Sequence, residues 1–283
     1  MKYESRLPEE GINTSQTHPL KQALTLAVAA LVLIVLLVFV MQISGAALAK
    51  KIPFSYETAV MEHLDIKFGN NATHPEVVDY LNELAQRLIQ HMPVPDDMDI
   101  VVHYNDDQIF NAYATVGGNL MFYKGILSTM PDENTLAMVM AHEISHVLHR
   151  DPIASLGGGV VSTLALLGLT GQAGTGIAGS ILNNAGIATR VQFTRKMEEL
   201  ADDQAVAAVN ALYGHVNGAA ALFELFSRQR DRASAAPRWM ERFLSTHPMD
   251  SDRIENIGQR AATEGWSTDG ELVPLPADFE SWL

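Results

Sequence analysis

The stretch AHEISHVLHRD, residues 141–151, decides how the chain is read. His142 and His146 stand four apart, and Glu143 follows the first of them. On a helix, positions i and i+4 share a face, so both imidazoles point the same way. Two such rings hold one Zn²⁺ at about 2.0–2.1 Å each. A carboxylate one step round is placed to take a proton from a water that the metal activates. The neighbours agree: Leu136, Ala137, Val139, Met140, Ala141, Ile144, Val147 and Leu148 make the helix apolar all round. The pattern predicts a buried helix from about Pro131 to His149, stopped by Pro152. Burying two histidines and a glutamate there is unfavourable unless something satisfies them, and a metal does. Three fixed positions in five residues also recur by chance. The third ligand is therefore the discriminating feature, because catalytic zinc keeps three protein ligands and one open position.

The nearest candidate fails. Zincins with a third histidine need H-E-x-x-H-x-x-G-x-x-H, and here the last two fixed positions hold His149 and Pro152. The next candidate is TRKMEELADDQAVAAV, residues 194–209, with Glu198 and Asp202 as one i, i+4 pair and Glu199 and Asp203 as another. Steps of about 100° per residue put Glu198 roughly 75° from the centre of the apolar face and Glu199 roughly 175° away, in solvent. Glu198 is the expected ligand. Asp202, one turn on, is the carboxylate expected to orient a ligand histidine through its other ring nitrogen.

These residues carry a resemblance. HEISH, followed by Arg195-x-x-Glu198-x-x-Ala201-Asp202, resembles the HtpX, Oma and CAAX-prenyl-endopeptidase family of zinc metallopeptidases. So do Asn111-Ala112-Tyr113-Ala114 with Gly117-Gly118, the helix Glu133–Asp151, and Ser245-Thr246-His247-Pro248 with Arg253-Ile254. The match runs from about residue 54 to 260. Leu200 stands where many members carry a second glutamate, at a position that is not a ligand. The resemblance implies an α+β, mainly α, zincin-like fold with a small antiparallel sheet. It implies one Zn²⁺ per chain, held by His142, His146 and Glu198, with Glu143 as general base. It also implies a peptide substrate extended along the strand Asn111, Ala112, Tyr113 and Ala114. His247 has two candidate roles, oxyanion partner or gate on the metal's open position; the plainer alternative is a turn histidine. Arg253 is expected to pair with a site carboxylate or with the surface.

Ahead of this domain, residues 23–43 carry no charge and as a helix reach about 31 Å, the thickness of a bilayer core. Ala47-Leu48-Ala49 offers a signal-peptidase site, but a signal core is shorter and lacks so long a polar leader, so the segment reads as an anchor. Lys2, Arg6 and Lys21 before it nearly balance Lys50 and Lys51 after it, and charge alone does not orient it. The expected layout is a polar start (1–22), a transmembrane helix (23–44), a linker (45–53), a zinc metallopeptidase domain (54–262) and an irregular tail (263–283). Residues 152–188, apolar and glycine-rich, read as a buried or interfacial hairpin rather than a second span. The net charge of −14, from 33 acidic against 19 basic residues, argues against a nucleic-acid partner. With no cysteine, thiol nucleophiles and disulfides are excluded. The expected function is zinc-dependent cleavage of misfolded or membrane and envelope proteins. It is expected at the bacterial inner membrane, with the catalytic domain in the periplasm. Two rival readings are a membrane-anchored, chaperone-like binding module and a structural metal site.

Overall fold

The computed structural model describes residues 19–51, 53–55, 57–58, 69–155, 193–232, 241–247 and 252–283. All but the first four residues of the predicted glycine-rich hairpin lie outside them. The N-terminal helix α1, Pro19–Ala49, is 31 residues long. Among the described residues it is the one helix long and apolar enough to cross a membrane. It runs past the apolar stretch because Ala46-Ala47-Leu48-Ala49 are strong helix formers.

Helix α2, Pro75–Ile89, starts on a proline and buries Val77, Leu81, Leu84, Ala85 and Leu88, one face at helical spacing. Strands β1 (Val101–Asn105), β2 (Ala112–Ala114) and β3 (Asn119–Tyr123) form one sheet in the order β1-β3-β2. The expected antiparallel sheet is corrected here to a mixed one: β2–β3 is antiparallel, but β1 runs parallel to β3. The chain leaves β1 and returns as β2 one strand's width away, and β3 fills that gap. The β2–β3 turn uses Gly117 and Gly118, both at positive φ (73° and 76°). A Cβ on Gly118 would run into the carbonyl of Asp99, so only glycine fits.

After a short turn of helix, α3 (Lys124–Leu127), comes α4, Glu133–Leu148. The Asp132 carboxylate caps α4 by accepting from Thr135 N at 2.7 Å. Helix α5, Arg195–Tyr213, is capped by Thr194 and ended by Gly214 in the left-handed conformation. The α4–α5 pairing is the most extensive between helices, and α4 also lies against β2. One hydrophobic core joins Leu81, Leu84 and Leu88 to Val102, Leu120 and Phe122 of the sheet, Leu136, Met140 and Ile144 of α4, and Val206 and Val209 of α5. Helices α6 (Ala221–Arg232), α7 (Glu241–Thr246) and α8 (Arg253–Glu264) follow. The last residues are largely irregular, as expected, but end in a short helix, α9 (Phe279–Trp282), and dock on the core. Glu133 N donates to Val273 O at 2.8 Å, and Tyr104 Oη donates to Leu283 O at 2.7 Å.

Candidate metal centre

Helix α4 is buried from Glu133 to Val147, so His142, Glu143 and His146 are presented inside the protein. The Nε2 atoms of the two histidines lie 3.0 Å apart. On the facing helix, Glu198 is 2 % exposed while Glu199 is exposed and pairs with Lys196 at 3.1 Å. Glu198 Oε2 is 3.6 Å from His142 Nε2, and Oε1 is 3.3 Å from His146 Nε2. Each imidazole is held from behind. Asp202 Oδ1 is 2.9 Å from His142 Nδ1, and Asp151 Oδ2 is 3.1 Å from His146 Nδ1. A ring whose Nδ1–H donates to a carboxylate turns a lone pair outward at Nε2.

Arg253 finishes the carboxylate side: its Nε and Nη2 donate to Asp202, both at 2.6 Å, and its Nη1 donates to Glu198 at 2.9 Å. Of the two roles open to it in the sequence, it takes the site partner and is 5 % exposed. The guanidinium also lies 4.3 Å from the centre of the Phe223 ring. Phe193 stacks on His146 (3.7 Å between ring centres, 13° between planes), and Phe243 stacks on His247 at 4.9 Å. This apolar floor keeps bulk water off the polar cluster.

His247 follows α7 and is fully buried. Its Nδ1 is 3.2 Å from Glu198 Oε1 and 3.3 Å from His142 Nε2; its Nε2 is 3.4 Å from Glu143 Oε1. That last contact is within ion-pair range but not aligned as a hydrogen bond. Neither Glu143 oxygen has a hydrogen-bond partner among the described residues. The predicted strand residues lie beside the cluster: Thr246 Oγ1 donates to the Asn111 side chain at 3.4 Å, and β2 is an edge strand. Asn111 O accepts from Tyr123 N and Thr115 N donates to Asn119 O. By alternation, Ala112 and Ala114 turn their N–H and C=O away from β3, towards the outer edge of the sheet among the described residues, where both alanines are buried, while Tyr113 pairs inward.

The residues fit a metal ion. Donors on a tetrahedron at about 2.0–2.1 Å from zinc stand about 3.3 Å apart. The observed separations of 3.0, 3.3 and 3.6 Å bracket that value. One ligand atom each from His142, His146, Glu198 and His247 lie within 4.8 Å of one another. Electrostatics point the same way. Burial alone would push the His142 imidazole down, but hydrogen bonds to Asp202 and Glu198 raise it to about 10. Burial would push the Glu198 carboxyl up, yet the surrounding histidines, His247 foremost, hold it well below the usual range. The cluster is built around positive charge, which either protons or a metal ion supplies.

Sequence reasoning missed Asp151, Phe193 and the charges behind Asp151. Asp151 turns back towards His146 because Arg150 takes a left-handed backbone (φ 58°), which nothing in its residue type announces. An acidic residue just past the helix end was the available signal.

Residues 74–261 match the family described as Peptidase family M48. The chain is 27% identical over 203 residues to the beta-barrel assembly-enhancing protease of Escherichia coli (strain K12), covering 66% of this chain and 39% of that protein. It is 27% identical over 212 residues to the mitochondrial metalloendopeptidase OMA1 of Schizosaccharomyces pombe, covering 74% and 59% respectively. Against OMA1 of Saccharomyces cerevisiae it is 28% identical over 152 residues, 53% of this chain and 43% of that one. The chain thus spans between two fifths and three fifths of the length of these relatives. With the family match covering more than half of the chain and enclosing α4 and α5, this protein belongs to peptidase family M48.

Proposed function

We propose that the chain is a zinc metalloendopeptidase, tethered by α1, that hydrolyses peptide bonds of misfolded or membrane and envelope proteins. The observation that carries this reading is the convergence of His142 Nε2, His146 Nε2 and the Glu198 carboxylate, beside a buried Glu143 with no hydrogen-bond partner among the described residues. The names of the relatives, a beta-barrel assembly-enhancing protease and a mitochondrial metalloendopeptidase, support the substrate class.

When bound, zinc supplies a Lewis acid next to the scissile carbonyl. The chain's own residues do the rest. Asp202 and Asp151 fix the two histidine rings in the tautomer that presents Nε2. Glu143 accepts the proton of the attacking water and returns it to the leaving nitrogen, a shuttle worth about 10²–10⁴ in rate. The outward N–H and C=O groups of Ala112 and Ala114 pair with the substrate backbone as an added strand. His247 reaches both the ligand set and Glu143. From that position it would either add a fourth nitrogen to the residues holding a bound metal or donate a hydrogen bond to the substrate's oxyanion. By resemblance to single-pass members, the catalytic domain is assigned to the periplasmic face of a bacterial inner membrane.

The test is digestion of an unfolded casein by the full-length chain in detergent. Cleavage that stops with a chelator and returns with zinc is the expected result. Binding of casein without turnover, with or without zinc, would replace the enzyme with a chaperone-like module.

A further inference from the structure

Two residues that follow the membrane helix reach into the centre. Lys50, one position after α1, places Nζ 2.8 Å from Asp151 Oδ1. The other oxygen of Asp151 is the one at His146 Nδ1. Asp151 is 1 % exposed and Lys50 less than half exposed, so the lysine brings its charge inward to a buried carboxylate. Glu57 does a parallel job one residue earlier: it pairs with Arg150, the residue in the left-handed conformation, and accepts from Gly117 N at 2.9 Å. Arg150 also lies 5.6 Å from the centre of the Phe54 ring. A left-handed backbone is unfavourable for a non-glycine residue. The contacts from residues 54 and 57 offset that cost and keep Asp151 turned towards His146.

We infer that Lys50, Phe54 and Glu57 are part of the metal centre, with Lys50 a positioning residue for His146 that couples the foot of the membrane helix to the metal. This rests on the reading of His146 as a ligand. Asp151 orients the ring only while it accepts from Nδ1, and Lys50 supplies the positive charge that makes a buried, ionised Asp151 tolerable. The last two turns of α1 and Lys50 span about 10 Å, so the centre stands close to the end of the apolar stretch.

The test is the zinc dissociation constant of full-length protein in detergent, measured by competition with a chromophoric chelator. The variants are Lys50→Met, Lys50→Arg, Lys51→Met, Asp151→Asn and the Lys50→Met/Asp151→Asn pair. Replacing the partner of a ligand histidine costs about 10–100-fold in metal affinity. Asp151→Asn is expected in that range and Lys50→Met near its lower end, about tenfold. Lys50→Arg restores affinity to within about twofold, exposed Lys51→Met leaves it unchanged, and the double variant is no weaker than Asp151→Asn alone. Thermal unfolding of the stripped proteins checks that each variant is folded. Lys50→Met within about twofold of wild type, equal loss in Lys51→Met, or additive losses in the double variant would each overturn the inference while leaving the peptidase reading in place. A wild type that takes up no zinc would overturn both.

Discussion

Helix α4 buries one glutamate at its start and another in its middle, and the described residues complete only the first with hydrogen bonds. Glu133 accepts from Tyr80 Oη and Tyr213 Oη, both at 2.9 Å, and pairs with Arg87 at 2.9 Å. These partners come from α2 and α5, so the carboxylate pins three helices together. The tyrosines feel it: burial, together with the Glu133 charge, pushes both hydroxyls well above their ordinary range, so they remain donors. Glu143 is as deeply buried, yet neither oxygen finds a hydrogen-bond partner among the described residues. A buried carboxylate without partners carries an unfavourable desolvation cost that evolution tolerates where chemistry needs the group. The difference teaches how to separate scaffold from machinery in one helix: ask whether the polar atom's partners are already present.

The comparison can be broken by removing each carboxylate in turn. The largest effect is expected from Glu143→Gln. Casein cleavage should fall by about 10²–10⁴, with zinc content unchanged. Because no hydrogen bond among the described residues is lost, unfolding temperature should stay the same or rise. A variant that keeps wild-type turnover would remove Glu143 from the proton path. A smaller and opposite effect is expected from Glu133→Ala, which leaves Arg87 and two tyrosine hydroxyls without their acceptor. Stability should drop by about 3 kcal/mol, roughly 6–12 °C in unfolding temperature. Activity per folded molecule should be retained below that transition. If the variant unfolded normally but lost turnover, the division between the two glutamates would be wrong.

Much of the site was readable from periodicity. The four-residue spacing of His142 and His146 and the angular placement of Glu198 against Glu199 need only 100° per residue and an apolar face. The burial of one and exposure of the other follow. The sheet was legible as strands and a glycine turn but not in its order, because pairing β1 with β3 depends on a gap between distant segments. The tether of His146 was not legible for a similar reason. It needs a left-handed arginine, a glutamate at 57 to hold it and a lysine at 50 to balance Asp151, contacts separated by about a hundred positions that no local pattern encodes.

The central claim is that His142, His146 and Glu198 grip one metal ion together. It is tested most directly by stripping full-length wild type and Glu198→Ala with a chelator, reloading both with zinc, removing the excess and counting the metal by plasma emission. The account predicts about one zinc per chain for wild type, as for a mononuclear catalytic site, and almost none for Glu198→Ala. Equal loading of the two proteins would contradict it.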